Sequence, residues 1–174
     1  MKLYGHNSVI ERLRSNPQSV RHIYIEEGHM DSGYIHKKAH QHGIPVYVVP
    51  GTKILKIARN TNSQGIVTDV DDYAYVPYDE LLEMVIEKRK TPVFLDALTD
   101  PQNLGAIIRS LACLGGFAVV LPTHDSVSVT ETVLRVASGG DNHIPVAKVS
   151  NINQAIRRAK QEGLVIVGAV ADKG

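Results

Sequence analysis

The chain has 174 residues, 43% of them apolar, a net charge of +1 and a sequence pI near 7.9. That is enough for one large globular domain or two small ones, and no low-complexity tract argues for disorder. No apolar run approaches the roughly 20 residues that span a bilayer. The N-terminus lacks the apolar core of a signal peptide, and the single Cys113 excludes an intrachain disulfide and fits a reducing cytoplasm.

In chain order, Asn7 to Arg14 predicts a short helix with Asn7 as its cap. His22 to Ile25 predicts a strand, and Asp31 to Gly43 a helix ended by Gly43. Ile44 to Val49 predicts a second strand with Pro45 near its start, Thr52 to Arg59 a short helix, and Gly65 to Val70 a third strand. Asp71 to Tyr78, with two acids, three tyrosines and a proline, reads as a connection. Asp79 to Lys90 is an amphipathic helix with Leu81, Leu82, Val85 and Ile86 on one face. From Pro92 onward, strands at 93–98, 117–121, 144–149 and 164–170 alternate with helices at about 103–114, 129–138 and 151–162. Alternation of that kind predicts a parallel sheet covered by helices. The division expected is residues 1–72 as a small α/β domain, 73–90 as linker and connecting helix, and 91–174 as a parallel-sheet α/β domain.

The most informative stretch is Asp100-Pro101-Gln102-Asn103-Leu104-Gly105-Ala106-Ile107-Ile108-Arg109-Ser110. It follows a strand, where open α/β sheets place their ligands. Asp100 as a helix cap and Pro101 in the first helical position are explained by structure alone. Asn103 and Arg109 are harder to explain that way. If the helix begins after Gly105, Asn103 lies in the turn and folds back toward Arg109. An Arg among apolar neighbours is also explained by snorkelling. Cys113, in the same apolar helix, reads as a small packing residue.

This stretch resembles the first motif of the SpoU/TrmH family, S-adenosylmethionine-dependent RNA 2′-O-ribose methyltransferases of the SPOUT superfamily. The start Tyr4-Gly5-His6-Asn7-Ser8-Val9 and the strand Gln64-Gly65-Ile66-Val67 are similar to the RNA-binding domain that precedes the catalytic domain in members acting on guanosine of large-subunit rRNA. Where such members carry a His before that Gln, this chain has Ser63. Val136-Ala137-Ser138-Gly139-Gly140 and Ile144-Pro145-Val146 also follow the family's course. The resemblance implies an α/β fold: a small N-terminal α/β RNA-binding domain and a parallel-sheet SPOUT-type domain cut short before the knot, since the second and third motifs have no counterpart. It implies methyl transfer from S-adenosylmethionine to a ribose 2′-hydroxyl of ribosomal RNA, with Arg109 at the target ribose and Asn103 positioning it. A non-catalytic RNA-binding fragment of such an enzyme is the alternative. The cofactor-binding residues stay unassigned, the expected partners are RNA and a second copy of the chain, and no membrane is involved.

A net charge of +1 leaves any phosphate binding to a local basic face. Lys37, Lys38, Lys53, Lys56 and Arg59, with Gln64, His40 and His42, are the candidate RNA-facing surface. Each lysine alone is explained by solvation. Shape-reading of structured RNA suits the cluster better than base stacking, because no exposed aromatic platform is evident. His36 and His40 have helical metal-ligand spacing, but no Cys or nearby acid completes a site, so no metal is expected.

Overall fold

The computed structural model describes residues 1–59 and 62–169. Two sheets organise it. The first contains β1 (Lys2–Tyr4), β2 (Val20–Glu26), β3 (Val46–Val49) and β4 (Ile66–Val70) in the order β1-β4-β2-β3. Only β2 and β3 run parallel, joined through α2 (Ser32–Gln41). The other pairs are antiparallel. α1 (His6–Ser15) and α2 cover one face of this sheet, and α3 (Gly51–Ala58) covers the other.

The alternation of side chains along the strands assigns these faces. Ile23 and Ile25 of β2 and Ile66 and Val70 of β4 join Ile35 and Ala39 of α2 in one cluster. Tyr24 and Val67 point the other way, toward Ile54 and Ala58 of α3. β1 escapes a reading of periodicity because three residues show too little of it; it is held by its ladder to β4, Leu3 opposite Thr68.

The second sheet is parallel, in the order β5-β6-β7, with β5 at Thr91–Phe94, β6 at Phe117–Pro122 and β7 at Val146–Val149. β6 is central and buried from Ala118 to Pro122, as expected of a strand with helices on both faces. α5 (Pro101–Leu114) and α6 (Glu131–Ala137) pack on its Val119 and Leu121 side. α4 (Tyr78–Glu87) packs through Leu81 and Val85 on its Ala118 and Val120 side. α7 (Ile152–Gln161) buries Ile152, Ala155 and Ala159.

Several expectations change. α1 is capped by Gly5, and Asn7 lies inside the helix. β5 ends at Phe94; the chain pairs once more through the Leu95 amide and then turns away at Ala97, whose φ is 52°. Of the strand expected at 164–170, residues 164–169 join no sheet, and Val170 lies outside the described residues. The Leu164 amide is instead drawn back onto the Ala159 carbonyl at the end of α7. Val165 and Val167 are left 89% and 87% exposed, so β-branched character without a pairing strand makes no β structure here. Cys113 is exposed rather than packed. The 71–77 connection is packed: the Val76 amide donates to Val146, Tyr73 Oη donates to the Ile144 carbonyl, and Tyr75 Oη accepts from the Val129 amide.

The two sheets share one apolar cluster, which runs from Ile23 and Ile66 through Val9, Ile10 and Leu13 of α1 to Leu104, Ile108, Val133 and Leu134. Inside this junction Arg12 of α1 donates to Asp141, which follows α6; their side chains are 7% and 2% exposed. Burial pushes the Asp141 carboxyl above its usual value, and the Arg12 charge opposes that shift. A carboxyl whose folded value is raised disfavours folding as pH climbs above the ordinary carboxylate range, so Arg12 limits that loss. Arg12→Met should therefore cost about 3–5 kcal/mol in urea unfolding near pH 7, because it strands a buried charge. The cost should shrink as pH falls and Asp141, raised above its usual value by burial, takes up a proton. A loss independent of pH would contradict the pairing.

Candidate functional site

α5 carries the central motif, and its boundaries follow from local chemistry. Asp100 caps it by accepting from the Gln102 amide at 2.9 Å, and Pro101 opens the first turn where no amide is needed. Gly115, with φ at 72°, closes it. Gly105 is where α5 meets α6: a Cβ there would sit 2.6 Å from Val136 Cβ and 3.0 Å from the Val133 carbonyl oxygen. The glycine of the motif is thus explained by helix contact alone.

Arg109 is exposed on α5 and lines a cleft of about 510 Å³ between the two halves of the chain. His6, Glu11 and Arg14 of α1 form the facing wall, and Ser138, Gly139 and His143 close it. Gly139 lets α1 dock closely, since a Cβ there would fall 2.4 Å from Glu11 Cβ. The one acid in this group is already engaged. Glu11 accepts from Ser15 Oγ at 2.6 Å and lies 2.9 Å from His143 Nε2, and these contacts, Ser15 first, hold its carboxyl below the usual value. Arg14 donates to Tyr34 Oη at 3.1 Å and lies over that ring. Among the described residues Arg109 has no such partner. The cleft therefore presents one paired and one unpaired guanidinium, with its one carboxylate engaged by Ser15 and His143, an arrangement that leaves the Arg109 charge open to an anion.

Asn103 does not join this cleft. The cap at Asp100 starts the helix at Pro101, so Asn103 occupies the first turn and is exposed. Six helical residues separate it from Arg109 by about 9 Å along the axis and about 120° around it. The expected fold-back toward Arg109 does not form.

The basic candidates are likewise divided. Lys37 and Lys38 lie on α2, and Lys53 and Lys56 on α3, with Arg59 just beyond it. The two helices cover opposite faces of the first sheet and so straddle its edge strand β3 rather than forming one face. Gln64 has structural work: its Oε1 accepts from the His6 amide at 2.7 Å and its carbonyl from His29 Nε2 at 3.1 Å. Beside it His6 Nε2 lies 2.7 Å from Asp31, at the start of α2.

Two features were missed from sequence. Tyr47 of β3 is 48% exposed and stacks on Tyr24, so an aromatic platform does exist. The charge asymmetry had a readable signal. No Asp or Glu occurs between Asp31 and Asp69, while Lys37, Lys38, Lys53, Lys56 and Arg59 all fall there. A net charge near zero for the whole chain hides this segment.

Residues 90–174 match the family described as SpoU rRNA Methylase, and residues 2–76 match that described as RNA 2′-O ribose methyltransferase substrate binding. The 23S rRNA (guanosine-2′-O-)-methyltransferase RlmB of Neisseria meningitidis serogroup B is 32% identical across 95% of this chain and 67% of its own length. The putative TrmH family tRNA/rRNA methyltransferase YacO of Bacillus subtilis is 33% identical across 96% of this chain and 68% of its own length. An uncharacterized tRNA/rRNA methyltransferase of Synechocystis is 35% identical across 98% of this chain and 46% of its own length. The crystal structure of an AdoMet-bound rRNA methyltransferase from Sinorhizobium meliloti shares the fold, with a TM-score of 0.70 at 24% identity over 91% of this chain and 58% of that one. The chain spans roughly half to two thirds of the length of these relatives.

Gly105→Ala should force α5 and α6 apart and lower stability by about 1–3 kcal/mol. Thermal unfolding reads this directly; an unchanged midpoint would show that the helices have room to spare.

Proposed function

The chain belongs to the SpoU rRNA methylase family, and on that premise we propose that it serves methylation of a ribose 2′-hydroxyl in RNA, large-subunit ribosomal RNA before other RNAs. The observation that carries this reading is the unpaired Arg109 at a cleft walled by both halves of the chain. The names of the Neisseria and Bacillus relatives support the reaction and the RNA class.

S-adenosylmethionine, as methyl donor, supplies an electrophilic methyl to the ribose oxygen. The described residues do not by themselves form a pocket for it. The Arg109 cleft offers cations, imidazoles and an engaged carboxylate, with Ile10, Ala112, Cys113 and Ala137 as its apolar lining. No residue here is assigned to the donor. The chain's own contribution is at the acceptor. The Arg109 guanidinium holds the ribose–phosphate and stabilises negative charge growing on the 2′-oxygen. Asn103, six residues nearer the start of α5, is proposed to act from the first turn of that helix rather than through Arg109. Lys37, Lys38, Lys53, Lys56 and Arg59, with Gln64 just before β4, are proposed to carry the flanking RNA.

A second reading, RNA binding without catalysis by this chain, is favoured by the same lack of a donor pocket among the described residues. The reading extends to a cytoplasmic homodimer. Support for the dimer is the exposed apolar set Leu114, Val165 and Val167. Among the described residues no helix is long and apolar enough to cross a membrane.

In the whole protein, Arg109→Ala should abolish methylation in a tritium-transfer assay while RNA affinity changes by less than about threefold, since one exposed phosphate contact contributes little. Equal losses in both would reject the role at the ribose. Replacing Lys37, Lys38 and Lys53 together with Gln should flatten the dependence of log affinity on log salt by about two to three units, near 0.7–0.9 per phosphate contact. An unchanged slope would remove these lysines from the RNA surface.

A further inference from the structure

We propose that the open edge of the first sheet, centred on Tyr47, is a stacking platform for an unpaired base of the RNA, with the strand's phosphates held by lysines of α2 and α3. The proposal rests on the reading that this half of the chain binds RNA. β3 ends the strand order, so among the described residues nothing continues the sheet beyond it. Tyr47 pairs in register with Tyr24 of β2, and their rings stack at 5.4 Å between centroids and 29° between planes. His22 meets both rings edge-on, at 5.0 and 6.1 Å. One face of the Tyr47 ring is thus backed by a second ring, and the other faces outward from the edge strand.

The neighbouring helix leaves this ring uncovered. α3 has only eight residues and packs through Ile54 and Ala58 on Val49 and Val67. Tyr47 and Val48 stay 48% and 51% exposed. A base laid on the outer face of Tyr47 would extend a stack that is already two rings deep. The platform is preorganised, because Tyr24 and His22 already restrict the ring and tyrosine has few torsions to lose.

Charge selects the occupant. The edge runs through the middle of the segment that contains no acid, from Ser32 to Thr68. α2, on one face of the sheet, carries Lys37 and Lys38, and α3, on the other, carries Lys53 and Lys56. A single nucleic-acid strand crossing the edge meets the ring and the lysines of α3 on one face and the lysines of α2 on the other, the combination of stacking and cations that binds unpaired strands with little dependence on sequence. A duplex, whose bases are stacked on each other, would use the cations and leave the ring idle.

The test is binding of the whole chain, across a range of salt, to an unstructured RNA of about 12 nucleotides and to a duplex of equal length. Tyr47→Ala should weaken binding of the unpaired RNA by about 5- to 100-fold without changing the salt slope, because no phosphate contact is lost. Tyr47→Phe should bind like the unaltered chain, and the duplex should ignore both changes. If Tyr47→Ala binds unpaired RNA normally while the lysine variant is weakened, the platform is wrong and the RNA surface survives. If the unaltered chain binds neither RNA, both readings fall together. If Tyr47→Ala instead shifts the chain from dimer to monomer and leaves RNA binding intact, the edge is an interface between copies and the proposal is overturned.

Discussion

The docking of α1 against α5, α6 and the segment after α6 is the constraint on which the rest depends. Without it the chain would be two small sheets, each with an apolar face to hide. With it, Val9, Ile10 and Leu13 fill the gap between them, and one cluster reaches from Ile23 to Val146. The Arg12–Asp141 pair lies inside that cluster, and among the described residues Arg12 Nε has no acceptor. A buried pair of this sort adds little net stability, because desolvation offsets attraction. Its effect is on geometry: an apolar junction tolerates sliding, whereas a buried charge has few positions in which it is matched. Surface contacts around it, such as Glu11 with His143, are exposed and weak by comparison.

That geometry gives the cleft its composition. α1 brings His6, Glu11 and Arg14 from the first half, and α5 brings Arg109 from the second. Neither half alone lines the space. Arg14 rests on Tyr34 of α2, and His6 contacts Asp31 just before it, so the cleft is continuous with the helix that begins the acid-free segment. The basic strand edge and the unpaired guanidinium are therefore parts of one body, which suits the handling of a long polyanion better than that of a small molecule.

What was legible in the sequence was local. The Asp100-Pro101 start and Gly115-Gly116 end of α5 are marked by residues whose backbone chemistry permits little else, and the apolar run of β6 reads as a strand buried on both faces. Periodicity misled where pairing decides. Residues 164–169 have strand composition and no neighbouring strand, and Lys2–Tyr4 has a neighbour but too few residues to show a period. Contacts distant in sequence were not readable at all: Arg12 meets Asp141 across 129 positions. The basic residues are legible as a run in sequence but not as a surface, because the faces on which α2 and α3 pack depend on the register of the strands between them. The cap at Asp100 is legible, but a glycine five residues later offers a second place for the helix to begin; the structure begins it at Pro101, so Asn103 enters the helix and turns away from Arg109.

Ultraviolet crosslinking of the whole chain to a large-subunit rRNA fragment, with crosslinked peptides mapped by mass spectrometry, tests the account most directly. Crosslinks should concentrate in residues 32–59 and along the exposed side of α5 near Arg109. Crosslinks confined to the basic face of α7, at Arg157, Arg158 and Lys160, would place the RNA on the far side of the second sheet and contradict it.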